Sequence, residues 1–387
     1  MSAIFRSIYS QDHEDFREVV QAFVAKTVDP NAEAWESAGI IDRSFWLDAG
    51  RAGILGMSVP EEFGGGGVDD PRFAMIVQEE LAKCGHASVA VAVSMQNEVV
   101  LPYLLELGTQ EQHAKWLPGV CAGEVVLGVA ITEPGTGSDM SAIKSSYRRN
   151  GEDFVLNGSK TFVSNGIHAD LLVVAARRAD GTSDREFSLL VVERGMEGFE
   201  RGRNLDKVGL HAQDTAELSF TDVRVPFGNL LGTEGQGFRH LRRFLVNERL
   251  ATALGAVNHA EQYLEWTLEY CKQRHAFGAP LAALQNTRFV LSELSTEVSI
   301  ARVFVDNCVE LSLSGRLTEA RAAMAKWWCT ELRNKVADRG VQLHGGYGYM
   351  LEYPIGRGFI DSRVETIYAG TTEIMKEVVA RDLIGRL

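Results

Sequence analysis

The spacing of apolar residues changes twice along this chain, and those two changes decide what it can fold into. Up to about residue 123 the apolar positions recur at helical spacing, as in Phe16, Val19, Val20, Phe23 and Val24, which align on one helix face. Short runs then take over: Val125 to Ile131, Phe154 to Leu156, Leu171 to Ala175, Phe187 to Val192 and Ala216 to Phe220, separated by Gly, Asn and Asp clusters. No helix-length pattern interrupts them, so they predict antiparallel strands rather than βαβ units, which counts against a Rossmann site. After Gly235-Gln236-Gly237 the helical period returns, with long segments near 238–273, 281–313 and 318–343 and a shorter one near 372–384. Long helices with short Gly or Pro breaks predict an antiparallel bundle. The expected organisation is α+β: a helical domain over 1–123, an antiparallel β domain over 124–235 and a helical bundle over 236–387.

Local signals agree with this division. Asp70-Pro71 has the form of an N-cap followed by proline at the first helical position, and Thr109-Gln110-Glu111-Gln112 has the form of a capping box. The formal charge of −13 with scattered Lys and Arg argues against nucleic acid, which is met by a basic patch or stripe. The five cysteines show no C-x-x-C spacing, so free buried thiols are expected rather than a disulfide framework or a zinc site. No H-E-x-x-H pair, nucleophile elbow or P-loop is present, and no metal is predicted. Met1 to Arg6 lacks an apolar leader and is soon followed by Asp12, Glu14 and Asp15. No apolar run is expected to reach the ~20 residues that span a bilayer. The chain therefore reads as cytoplasmic, or as a mitochondrial matrix form whose transit peptide has been removed.

Three segments carry chemistry. Thr132-Glu133-Pro134-Gly135-Thr136-Gly137-Ser138-Asp139 follows an apolar strand; its glycines let backbone amides approach a ligand, and Pro134 limits the entropy lost in holding the loop. Such a loop suits a polar, anionic or heteroaromatic cofactor, and equally an ordinary surface turn. Asn157 to Gly166 is a turn, a short strand and a second turn with Phe162 and Ser164 on one face. Phe162 reads either as a core aromatic or as a plane against a ring, and Ser164 as a turn former or a donor. Gln342-Leu343-His344-Gly345-Gly346 ends a helix in a glycine turn, either a plain C-cap or a cradle for a pyrophosphate.

Taken in order, with Arg274-His275-Ala276-Phe277-Gly278 and Ile367-Tyr368-Ala369-Gly370-Thr371-Thr372-Glu373, these segments resemble the acyl-CoA dehydrogenase family, and within it the long-chain enzymes. The resemblance covers nearly the whole chain. It implies a helical domain, a middle antiparallel β-barrel and a C-terminal four-helix bundle. It also implies FAD, removal of two hydrogens from a saturated acyl-CoA to give the trans-2-enoyl thioester, and electron transfer to an electron-transfer flavoprotein. By resemblance Val129, Ile131, Thr132, Gly137 and Ser138 hold the isoalloxazine, with Phe162 against the ring and Ser164 near N5. Arg274, Phe277, Gln285, Gln342, Gly345 and Gly346 match positions that reach the phosphate and adenine half in a neighbouring subunit of a homo-oligomer, expected to be a tetramer. Thr371 and Glu373 complete the cofactor set, and Ser138, Arg249, Ala369 and Gly370 are the substrate-binding positions.

One departure bears on the mechanism. Many members place the catalytic glutamate directly after the tyrosine of Ile367-Tyr368, where this chain has Ala369, and an alanine takes no proton. The long-chain and isovaleryl members carry theirs on a bundle helix, at a position matched by Asn247-Glu248-Arg249-Leu250, so Glu248 is the expected base. Its other reading is a surface glutamate; that of Arg249 is a pair across the bundle. Glu365 and Glu373 are the reserve bases. The helix from Ala87 to Met95 matches the tail-lining helix, and the slender Ala90, Val91 and Ser94 read as a deep channel for a medium or long acyl chain or as tight packing. Three rival readings keep the fold: a flavin oxidase or monooxygenase, a non-catalytic flavin-binding assembly protein, and a dehydrogenase acting on a carrier-protein thioester.

Overall fold

The computed structural model describes Arg6, residues 8–181 and residues 186–385; the reading of Met1 to Phe5 lies outside the described residues. The first helices are α1 (Gln11–Phe23), α2 (Ala32–Ala38), α3 (Arg43–Arg51), α4 (Pro71–Lys83), α5 (Ala87–Ser94), α6 (Leu101–Leu107) and α7 (Gln110–Cys121). Both expected helix starts form. The Asp70 carboxylate accepts from Arg72 N at 3.0 Å ahead of Pro71, and Thr109 and Gln112 exchange backbone-to-side-chain bonds at 2.9 and 3.3 Å.

The helices α5 and α6 join through a π-helical turn, Met95–Val100, into one stretch, Ala87–Leu107. With 21 residues and a mean hydropathy of 1.3 it is long and apolar enough to cross a membrane by length and composition, although Gln96, Asn97 and Glu98 interrupt its apolar sequence. Most of its apolar surface is instead buried against the rest of the protein, and Gln96 ties it to the first strand: its amide donates to Val125 O at 3.0 Å and accepts from Leu127 N at 2.7 Å.

The strands are β1 (Leu127–Ala130), β2 (Ser146–Asn150), β3 (Asp153–Ser164), β4 (Leu171–Arg178), β5 (Phe187–Glu193), β6 (Phe199–Asn204), β7 (Thr215–Pro226) and β8 (Leu230–Leu231), in the order β6-β7-β3-β2-β4-β5-β8 with β1 on β4. The pairing is largely antiparallel, but β1 and β2 both run parallel to β4, a correction to the expected all-antiparallel pattern. Parallel neighbours need a long crossover, and the β2–β3 hairpin, inserted between β1 and β4, supplies one without an α-helix. The continuous apolar runs of β4 and β5 have a plain cause: Leu171, Val173, Leu189 and Val191 pack under the helices, while Leu172, Val174, Leu190 and Val192 face a second core with Phe154 and Phe220. A strand buried on both faces loses its alternation.

The rest is helical: α8 (Gly237–Gln273), α9 (Gln285–Leu313), α10 (Glu319–His344), α11 (Pro354–Ser362) and α12 (Thr372–Ile384). Helix α10 packs against the other four, around Val257, Leu264, Val298, Val305 and Val336. Cys121, Cys271, Cys308 and Cys329 are buried and free, and Cys84 is half-buried and free.

Candidate active site

Strand β1 delivers the chain to the Thr132–Asp139 loop, which is closed from inside by a charge pair. The buried Glu133 carboxylate accepts from Lys144 N at 2.7 Å and Ser145 N at 2.9 Å, and meets Lys160 Nζ at 2.8 Å. The same ammonium donates to Ile131 O at 3.0 Å, and Thr161 N donates to Thr132 O at 2.9 Å. With its polar groups satisfied inward, the loop leaves Gly135, Gly137 and Ser138 exposed, and no atom lies within 4 Å of where a Cβ on either glycine would stand.

Beside the loop, β3 shifts register between Lys160 and Val163, and Phe162 takes a left-handed φ of 57°. The bulge turns its ring outward, 69% exposed, so the core-aromatic reading fails and the simple alternation across Phe162 and Ser164 is broken. Val129 and Ile131 are half-buried on the cluster that holds Tyr103 and Phe244.

A second group gathers at the end of α10. A cavity of about 560 Å³ is lined by Tyr270, Arg274, Gln342, Gly345, Gly346 and Tyr347, among others. Gly345 has a φ of 63° and open space at its missing Cβ, as does Gly346. Phe277, 96% exposed at a φ of 54°, tips the hairpin between His275–Ala276 and Ala279–Pro280, and Gln285 stands exposed at the start of α9. Among the described residues, those lining this cavity all come from the C-terminal helical part, none from the Thr132 loop.

The third group surrounds Glu248. Burial pushes its carboxyl up to about 7 against the pull of Arg249 and Lys326, and its charge is felt by Tyr103 on α6 and by Tyr368. Arg249 pairs across the bundle, with Nη1 at 3.2 Å from Glu319 Oε1, while its buried Nε has no partner among the described residues. Opposite, Ala369 and Gly370 are both left-handed, at φ 51° and 92°. The Gly370 carbonyl accepts from Lys326 Nζ at 2.6 Å, Thr371 Oγ1 caps α12 through Ile374 N at 3.3 Å, and the Ala369 N–H has no partner among the described residues. Glu365 is buried, and burial pushes its carboxyl up; Arg333 donates to its Oε1 at 2.5 Å and to Tyr263 Oη at 2.7 Å, while Glu365 Oε2 has no partner among the described residues. Glu373 is exposed, and its own helix-start hydrogen bonds hold its carboxyl below the usual range.

Sequence reasoning missed Glu133, Lys160, Lys326 and Glu98. Glu98 lies in the π-helical turn, pushed up to about 7 by burial, with Oε2 unpartnered among the described residues. The available signal was a charge set inside apolar sequence, as in Ala325-Lys326-Trp327 and Gln96-Asn97-Glu98-Val99.

Family profiles match the chain in three consecutive pieces: the acyl-CoA dehydrogenase N-terminal domain over residues 10–124, the middle domain over 128–223 and the C-terminal domain over 235–384. The chain belongs to the acyl-CoA dehydrogenase family. It is 44% identical to the mitochondrial long-chain specific acyl-CoA dehydrogenase of Sus scrofa, over 98% of this chain and 88% of that relative. Among solved structures, an acyl-CoA dehydrogenase from Geobacillus kaustophilus superposes with a TM-score of 0.95 at 45% identity, covering 98% of this chain and 100% of that one. An acyl-CoA dehydrogenase complexed with FAD from Bacillus anthracis superposes with a TM-score of 0.90 at 28% identity, covering 99% of this chain and 69% of that one.

This acyl-CoA dehydrogenase is thus an oxidoreductase that uses FAD. Its own residues fit that cofactor: outward glycine backbones, an exposed aromatic in a strained turn, and a cavity lined by Gly345, Gly346 and Arg274.

Proposed function

We propose that this dehydrogenase oxidises the α,β-bond of a saturated acyl-CoA, medium to long in chain, to the trans-2-enoyl thioester, with Glu248 as the base. The observation that carries the reading is the pairing of a half-buried carboxyl pushed up to about 7 with a left-handed turn whose Ala369 N–H is unpartnered among the described residues. Removing the α-proton of a thioester requires a base near that hydrogen and a donor for the enolate oxygen. Glu248 holds the proton, and the Ala369 N–H stabilises the oxygen irrespective of its side chain. A base with a pKa near the working pH divides its time between both protonation states, which suits proton transfer. Bound FAD supplies the hydride acceptor for Cβ.

Thr132, Gly137, Ser138, Phe162 and Ser164 hold the flavin ring in this reading, with Val129 and Ile131 backing the loop. Arg274, Phe277, Gln285, Gln342, Gly345 and Gly346 reach the adenine half of a neighbouring subunit's cofactor. Thr371 and Glu373 flank it, and Ser138, Arg249, Ala369 and Gly370 meet the substrate. The lining of the cavity by C-terminal residues alone, among the described ones, supports such sharing, as do the exposed Phe277, Phe289, Ile300 and Val303. A homotetramer, a cytoplasmic site of action, electron-transfer flavoprotein as the electron acceptor and domain boundaries at 123/124 and 235/236 belong to the same proposal.

The test is anaerobic flavin absorbance while saturated acyl-CoAs of increasing length are added. Bleaching that peaks at one length supports the reading and names the substrate. Absence of bleaching with every acyl-CoA would falsify it and favour the carrier-protein, oxidase or non-catalytic alternatives.

A further inference from the structure

Lys326 is fully buried on α10 and forms no ion pair among the described residues. Among the described residues its ammonium donates to the Gly370 carbonyl at 2.6 Å. An ammonium withdrawn from water and left without a contacting carboxylate is costly, and a leucine or methionine would pack the same space at no such cost. Helix packing alone therefore does not account for it.

The turn it reaches is unusual. Ala369 is a non-glycine residue in the left-handed region, followed at once by Gly370 in the same region, and such conformations persist only where the surroundings over-determine them. Three restraints do so. Tyr368 N donates to Val364 O at 3.2 Å on one side, Lys326 grips the Gly370 carbonyl on the other, and Thr371 starts α12 immediately after. Between them stands the Ala369 N–H, which has no partner among the described residues. Charged groups face Lys326 from every side: Glu248 and Arg249 on α8, Glu365 after α11 and Glu373 on α12.

We propose that Lys326 is a positioning residue, whose ammonium clamps the Gly370 carbonyl and so aims the Ala369 N–H at the thioester oxygen of the substrate. The proposal rests on the dehydrogenase reading above and adds a residue to it.

The experiment compares two ligands of equal chain length on flavin-loaded protein by calorimetry: a trans-2-enoyl-CoA, which has the carbonyl oxygen, and an S-alkyl-CoA thioether, which lacks it. Neither has a bond for the enzyme to oxidise through this carbonyl, so the readout is binding. Lys326→Met is expected to weaken the enoyl-CoA about tenfold, the worth of one ordinary hydrogen bond, and to leave the thioether within about twofold. Equal losses for both ligands, or no loss for either, overturn the proposal. Should Lys326→Met not yield flavin-loaded protein, Lys326→Gln keeps an uncharged donor; a smaller loss confined to the enoyl-CoA supports the role, and equal changes refute it. A wild type that no saturated acyl-CoA bleaches removes the dehydrogenase reading itself. A wild type that bleaches, with Lys326→Met indifferent to the carbonyl, removes only the role of Lys326.

Discussion

Two loops of this molecule are each gripped by a buried lysine, but the lysines are satisfied differently. In the middle domain Lys160 holds Ile131 O and also meets Glu133 directly, so its charge is cancelled on the spot. In the bundle Lys326 holds Gly370 O with no carboxylate in contact among the described residues, its counter-charges being Glu365, Glu248 and Glu373 at longer range. Burial brings both ammoniums down to about 8. A cancelled pair does one thing well, which is to hold a loop in place. An uncancelled ammonium also acts on its neighbours: it draws down the Glu248 carboxyl, which burial pushes up. The first loop is thus scaffold for the proposed cofactor site, and the second is electrically connected to the proposed base.

The sharpest way to test this contrast is to remove that base. Glu248→Gln is expected to retain FAD and thioester binding while the rate of anaerobic flavin bleaching by acyl-CoA drops by about a thousandfold, within the range general-base removal produces. Full activity in this variant would transfer the role to another group.

Next comes stability. Glu133→Gln leaves Lys160 buried without its partner, and breaking a buried pair in that way costs about 3–5 kcal/mol in equilibrium unfolding. Lys326→Met removes a buried charge and leaves no contacting carboxylate behind, so its cost should be near that of one lost hydrogen bond, about 1 kcal/mol. Equal costs for the two variants would erase the distinction drawn here.

A smaller effect is expected with pH. Glu248 accepts a proton only when ionised, and its carboxyl is protonated below about 7. The bleaching rate should therefore rise with pH, climbing about tenfold per unit below that point and levelling above it. A flat profile from pH 5 to 8 would exclude Glu248 as the titrating base.

The smallest effect on the fold is predicted for Phe277→Ala. A fully outward ring contributes within about 0.5 kcal/mol to the stability of its own chain. If it reaches a neighbour's cofactor, the flavin-to-protein ratio after gel filtration falls all the same. An unchanged ratio would place Phe277 outside the cofactor site.

The architecture was readable from the chain because period is a property of sequence neighbours. The helical stripe around Phe16 and Val20, the caps at Asp70 and Thr109, and the long bundle helices each depend on residues within a few positions. Strands β2 and β6 escaped notice because Ser-Tyr-Arg-Arg-Asn and Phe-Glu-Arg-Gly-Arg-Asn show no apolar alternation, and their pairing comes from β3 and β7. The parallel placement of β1 and β2 on β4 was equally hidden, since strand direction is set by the crossover between them.

The sequence by itself determined the order of helical, β and helical parts, the glycine loops, and a resemblance specific enough to single out Glu248 when Ala369 stood where a glutamate is common. Only the tertiary structure decided that Phe162 faces outward, that Arg333 pairs with one oxygen of Glu365, and that Lys160 and Lys326 are buried clamps. The reason is distance along the chain. Lys160 meets Glu133 across 27 residues and Lys326 meets Gly370 across 44, and no local pattern records which charges will be carried inward together.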